Sequence, residues 1–131
     1  MTHVLVVDDS ESTRQLIRTM LEPEGYTLLD ASDGLEALTA LRTMEWPCVV
    51  LLDYYMPNMD GGAALQVVQS EGGLLAEHEY LVISSSVATF PADFIEFVRY
   101  LSIRILPKPF EKEVLAAAVA QAAERLTAPR P

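Results

Sequence analysis

The chain has 131 residues, enough for one domain with a buried core, and 50% are hydrophobic against 21% charged, which excludes a disordered chain. A formal charge of -10 and a pI near 4.5 exclude an electrostatic grip on nucleic acid or anionic lipid, and favour cations such as Mg²⁺ or basic patches on partner proteins. Cys48 is the one cysteine, so no disulfide framework forms; no apolar run nears the roughly 18 residues of a membrane span, and acids arrive by Asp8, so a cytoplasmic protein is expected.

In chain order, Val4 to Val7 is a short apolar run that meets Asp8 and Asp9, and it reads as a buried strand ending in two carboxylates. Leu16, Ile17, Met20 and Leu21 then recur at helical spacing, with Asp9 or Ser10 as N-cap, and Pro23 with Gly25 marks the stop. Tyr26 to Asp30 predicts a second strand, and Ala31-Ser32-Asp33-Gly34 leads into a helix carrying Leu35, Ala37, Leu38 and Leu41. Pro47 to Leu52 lacks polar alternation, as a strand buried on both faces does, and it delivers Asp53 where it ends. After the turn residues Met56 to Gly62, Ala63, Leu65, Val67 and Val68 predict a short helix closed by Gly72-Gly73. Tyr80 to Ile83 is a fourth strand, ending in Ser84-Ser85-Ser86. Phe94, Phe97, Val98 and Leu101 mark one face of the next helix, which Ile95 and Tyr100 extend. Ser102 to Leu106 reads as a fifth strand stopped by Pro107-Lys108-Pro109, and Val114 to Leu126 carries the last amphipathic helix. The expected domain is 1–127, with 128–131 a tail or linker stub. Cys48 reads as a small core residue, and His78, between Glu77 and Glu79, as a solvated loop residue.

Five strands alternating with five helices predict right-handed crossovers, a parallel sheet and helices on both faces. Ligands of such sheets sit beyond the carboxyl ends of the strands, which is where Asp8, Asp9, Asp53, Ser84 and Lys108 fall. Carboxylates converging in one cleft repel one another unless a cation offsets the charge, and Mg²⁺ takes such hard oxygen ligands. Asp53 is then a candidate nucleophile for a phosphoryl group, with Lys108 and the metal neutralising the phosphoryl oxygens and the Ser84 hydroxyl donating to one. Taken singly, each residue has another reading: Asp53 begins a turn, Asp8-Asp9 cap a helix, Ser84 to Ser86 form a loop, and Lys108 sits in a solvated turn.

The acidic pair after Val4 to Val7, the stretch from Asp53 to Gly61 with its Met56-Pro57 and Asp60-Gly61, Ser84, Lys108-Pro109-Phe110, and Ala31-x-Asp33-Gly34-x-Glu36-Ala37-Leu38 form one pattern. On these residues the sequence resembles the receiver domain of two-component response regulators, along nearly all of 3–126. The resemblance implies a flavodoxin-like (βα)5 fold with strand order 2-1-3-4-5 and a cis Lys108-Pro109 bond. It implies that Asp53 takes a phosphoryl group from the phosphohistidine of a sensor histidine kinase or phosphotransfer protein. Mg²⁺ (or Mn²⁺) would be held by Asp9, Asp53 and the Tyr55 backbone carbonyl, with Asp8 acting through metal-bound water. The domain would turn over nothing but its own phosphoryl group. A downstream protein would dock on the helix of Phe94, the fifth strand and the last helix, with neither nucleic acid nor membrane as a partner.

Four departures from that pattern bear on signalling. Ile105 holds the place of the aromatic switch residue, Leu101-Ser102 replace a Gly-Ala pair, Pro107 precedes Lys108, and Tyr55 is bulkier than the polar residues common there. Ser84, Ser86, Tyr55 and Ile105 are thus the expected switch and tuning residues, and Tyr55 is expected to screen an acyl phosphate from water. Two rivals stand beside this reading. An aspartate-nucleophile phosphatase of the haloacid dehalogenase type wants a second acid two residues after the nucleophile, where Tyr55 stands. A receiver-like interaction module would bind partners without phosphorylation.

Overall fold

The unalternated apolar runs have a simple physical origin, visible in a computed structural model that describes residues 2–127. Each central strand presents successive side chains to opposite faces, and both faces are covered. Leu5 and Val7 of β1 (His3–Val7), Val50 and Leu52 of β3 (Cys48–Asp53), and Tyr80 and Val82 of β4 (Glu79–Ser84) enter one core. Their neighbours Val4, Val6, Val49, Leu51, Leu81 and Ile83 enter the other. With β2 (Thr27–Ala31) and β5 (Arg104–Pro107) at the edges, the five strands form one parallel sheet in the order β2-β1-β3-β4-β5.

Helices α1 (Glu11–Leu21) and α6 (Lys112–Thr127) cover one face. Helices α2 (Gly34–Thr43), α3 (Gly61–Ser70) and α5 (Ala92–Tyr100) cover the other, with a short α4 (Gly73–Glu77) beside α3. Local chemistry sets the starts: Ser10, Asp33 and Asp60 cap α1, α2 and α3 by accepting from the backbone N–H three residues on. Strand order reverses between β1 and β3, so the crevice at that point opens over the carboxyl ends of these two strands.

Several sequence expectations need correction. The glycine pair does not merely close α3; Gly73 opens α4, giving six α-helices among the described residues where five were expected. The second strand begins at Thr27, and Tyr26 packs under the α1–α6 layer. Ser102 is not in the fifth strand. It adopts φ 59° after the Leu101 C-cap, reversing the chain, and β5 starts at Arg104 and runs into Pro107. An edge strand tolerates a residue without an N–H. Leu16 and Leu35, placed on apolar helix faces, are about half exposed at 52% and 50%. His78 is no solvated residue: it is buried, and its Nδ1 accepts the backbone N–H of Cys48 at 3.0 Å. Cys48 is a core residue, as expected, and burial pushes its thiol up to about 12. The tail assigned to 128–131 lies outside the described residues.

Candidate functional site

Strand register assembles the site. Val7 of β1 pairs with Leu52 of β3, so Asp8 and Asp53, each one residue further on, arrive side by side. Asp53 in turn pairs with Ile83, which puts Ser84 one step beyond it. Ser84 pairs with Pro107, which puts Lys108 one step beyond that. Four residues scattered over 100 positions thereby meet at one sheet edge, and with Asp9, Tyr55 and Ser86 they line one cleft of about 460 Å³.

Inside the cleft Asp8, Asp53 and Ser84 are buried while Asp9 is exposed. One carboxylate oxygen from each of Asp8, Asp9 and Asp53 lies within 4.8 Å of the others. This is a donor set of hard oxygens, and it matches what Mg²⁺ or Mn²⁺ takes. Lys108 Nζ donates to Asp8 Oδ2 at 2.6 Å and stands 3.7 Å from Asp53 Oδ2. Asp53 Oδ1 accepts the Tyr54 N–H at 2.8 Å. The opposing influences leave the Asp53 carboxyl raised to about 6: burial is the largest cause, Lys108 pulls it down, and the Asp8 charge pushes it up again. Such a carboxylate carries a solvation deficit that a cation or a covalent partner relieves.

The scaffold around these groups is tightly specified. Asp8 Oδ1 accepts the Ser10 N–H at 2.9 Å, and its carbonyl accepts from the Arg14 guanidinium at 2.6 Å, fixing the β1–α1 turn. Gly61 N–H donates to the Tyr54 carbonyl at 2.7 Å, and a Cβ on Gly61 would clash with the Asp53 carbonyl oxygen, so only glycine fits against the end of β3. The Lys108–Pro109 peptide is cis, as the resemblance implied.

Asn58 was missed by sequence reasoning. It sits at φ 66° in the loop after Asp53, and its side-chain amide donates to Asp33 Oδ2 at 2.8 Å. The neighbouring Met59 carbonyl accepts the Gly34 N–H at 3.1 Å. The N-terminus of α2 thus clamps the loop that carries Tyr55. The Glu36 N–H, the Asn58 amide and the Leu35 N–H hold the Asp33 carboxyl below its ordinary range. The signal was present as Asp33 in a cap position and Asn in a Pro-Asn turn, but nothing in one sequence pairs residues 25 positions apart.

The expected switch residues divide. Ser84 Oγ accepts the Ser86 N–H at 3.2 Å, and the Ser84 carbonyl accepts the Lys108 N–H at 2.8 Å, so these three are mechanically linked. Tyr55 stands at the cleft rim, 44% exposed, with its hydroxyl 2.6 Å from Thr89 Oγ1. Thr89 Oγ1 also donates to the Ser86 carbonyl at 2.8 Å. Ile105 is not among the residues lining the cleft; it is half-buried on β5 against the core that α5 helps to cover.

A model of the response regulator receiver domain family matches residues 4–120. Among curated proteins, transcription factor SKN7 of Saccharomyces cerevisiae is 33% identical over 113 residues, 86% of this chain and 17% of that protein. The probable transcriptional regulator ycf27 of Cyanophora paradoxa is 41% identical over 71 residues, 54% of this chain and 29% of that protein. The chain therefore spans less than a third of the length of these relatives. Among solved structures, a Francisella response regulator receiver domain superposes with TM-score 0.81 at 29% identity, covering 95% of this chain and 98% of that one. The Vibrio cholerae chemotaxis protein CheY4 does so with TM-score 0.78 at 27% identity, covering 93% and 98%. A match over nearly the whole sheet, with the strand ends carrying the acids and the lysine in register, means that the chain belongs to the response regulator receiver domain family of two-component signalling.

Proposed function

We propose that Asp53 accepts a phosphoryl group from the phosphohistidine of a sensor histidine kinase or phosphotransfer protein. The observation that carries this reading is the buried Asp53 carboxylate at the end of β3, with Lys108 3.7 Å away and two further acids within 4.8 Å. Asp53 Oδ1 is held by the Tyr54 N–H, which leaves Oδ2 to attack phosphorus. The new O–P bond forms as the P–N bond breaks; the P–N electron pair stays on the departing imidazole nitrogen, which takes up a proton from solvent. Lys108 neutralises a phosphoryl oxygen, and the Ser84 hydroxyl donates to another. Asp8, Asp9, Asp53 and the Tyr55 carbonyl are the groups that would hold Mg²⁺ or Mn²⁺, Asp8 through bound water; the ion supplies charge neutralisation at the transferred group.

Tyr55, tethered at Thr89 beside the cleft, shields the acyl phosphate and slows its hydrolysis. The phosphorylated form alters binding of a downstream protein to α5, β5 and α6, where Tyr100 is 78% exposed and Val114 42%. The domain is cytoplasmic and is no enzyme toward other substrates. Incubation with phosphoramidate and Mg²⁺, read by intact mass, tests the reading: one added phosphoryl group per chain is expected, and none when Mg²⁺ is chelated. A wild-type chain that stays unmodified with Mg²⁺ present overturns it.

A further inference from the structure

A groove of about 500 Å³ runs between α3 and α5 and shares no lining residue with the acidic cleft. Its floor is aromatic: the Tyr54 and Phe94 rings meet edge to face at 4.6 Å, with half-buried Phe97 beside them. Gly62 keeps it open. A Cβ there would lie 3.1 Å from Tyr54 Cε2 and 3.4 Å from the Phe94 ring, so a larger side chain would occupy the space above the floor. Asp60 and Asp93 stand among the lining residues, and no Lys or Arg is among them. Asp60 spends Oδ1 on capping α3, at 2.8 Å from the Ala63 N–H, and keeps Oδ2 for another donor. Burial, and after it the Asp60 carboxylate, push the Tyr54 phenol above its ordinary range, and the two carboxylates of Asp60 and Asp93 with no lining cation give the groove its negative charge.

We propose that this groove docks a lysine or arginine side chain, flanked by apolar residues, from a partner protein. Two carboxylates on a groove lined by aromatic rings give a cation ion pairing, while the exposed ring edges and Phe97 accept the apolar flank. Charge selects the occupant: a second copy of a chain carrying -10 would bring like charge to an acidic groove, whereas a basic segment is drawn to it. The groove also adjoins the acceptor through one residue, since Tyr54 gives its N–H to Asp53 and its ring to the floor.

The probe is the blocked tripeptide acetyl-Leu-Arg-Leu-amide, titrated into the isotope-labelled, unphosphorylated full chain and followed by amide chemical shifts, with acetyl-Leu-Glu-Leu-amide as comparator. The expected result is saturable shifts at Gly62, Ala63 and Phe97, at least about tenfold weaker binding of the glutamate peptide, and loss of the shifts in Gly62→Val. Asp93→Lys, a change at an exposed position, guards against a folding defect and should weaken the arginine peptide while leaving the glutamate peptide no worse. Equal binding of both peptides, arginine shifts confined to the Asp8–Asp53 cleft, or concentration-dependent dimerisation through the groove each overturn the proposal. Because no phosphoryl transfer is involved, the result stands apart from the role of Asp53.

Discussion

Replacing Asp53 should make the metal-free protein more stable. Burial raises the Asp53 carboxyl from an ordinary 3.8 to about 6, with Asp8 and Asp9 adding to the rise and Lys108 opposing it. In the unfolded chain the same carboxyl ionises freely from about 4 upward. Between these values the folded state holds the proton more tightly, so folding stability falls as pH rises through the window and stays low above it. The displacement from 3.8 to about 6, at about 1.4 kcal/mol per pH unit, is worth about 3 kcal/mol at neutral pH. An asparagine in place of Asp53 never ionises, yet its side-chain carbonyl oxygen can still accept the Tyr54 N–H. Asp53→Asn in EDTA should therefore gain about 3 kcal/mol at about pH 7.5, roughly 10 °C in melting temperature for a domain of this size, and about half that at about pH 5. Urea unfolding followed by circular dichroism measures both. An unchanged or lower midpoint at neutral pH, or an equal gain at both pH values, would refute the reasoning.

Lys108→Met leaves buried Asp8 without its 2.6 Å partner and Asp53 without its nearby cation. In EDTA this should cost about 3 kcal/mol, while calorimetric Mg²⁺ affinity rises because no protein cation competes; wild-type stability would contradict it. Asn58→Ala releases the loop from Asp33 and should weaken Mg²⁺ binding about tenfold by calorimetry, and it should also lower the unfolding midpoint, because alanine is strained at φ 66° and the Asp33 carboxylate loses a donor. Tyr55→Asn removes the ring tethered at Thr89, and the phosphorylated form should decay faster in a timed phosphate-release assay; an unaltered lifetime sinks the shielding role. His78→Leu strips the Cys48 N–H of its acceptor and should cost about 1–3 kcal/mol in chemical denaturation, with phosphorylation unchanged.

The sheet was legible because apolar runs without alternation have one economical solution, a strand covered on both faces, and each ended in a residue with recognisable chemistry. Asp8, Asp9, Asp53, Ser84 and Lys108 could be placed at the strand ends because parallel strands share one direction. What escaped depends on pairings that no local pattern announces. His78 lies between two glutamates, so its sequence surroundings look solvated, yet the backbone N–H at the start of β3 needs an acceptor there. Ser102 resembled strand because its neighbours do, whereas the chain had to turn at that residue to close α5. Leu16 and Leu35 obeyed helical spacing but lie at the margin of the buried stripe. The Asp33–Asn58 clamp and the Tyr55–Thr89 contact join residues 25 and 34 positions apart, beyond any periodicity argument.

The central claim is that the phosphoryl group sits on Asp53. After reaction with phosphoramidate and Mg²⁺, borohydride reduces an acyl phosphate to the alcohol, and peptide sequencing by mass spectrometry then finds the altered residue. Homoserine in place of Asp53, and nowhere else, is the predicted result. Conversion at Asp8 or Asp9, or a phosphoryl group that survives borohydride untouched, would contradict it.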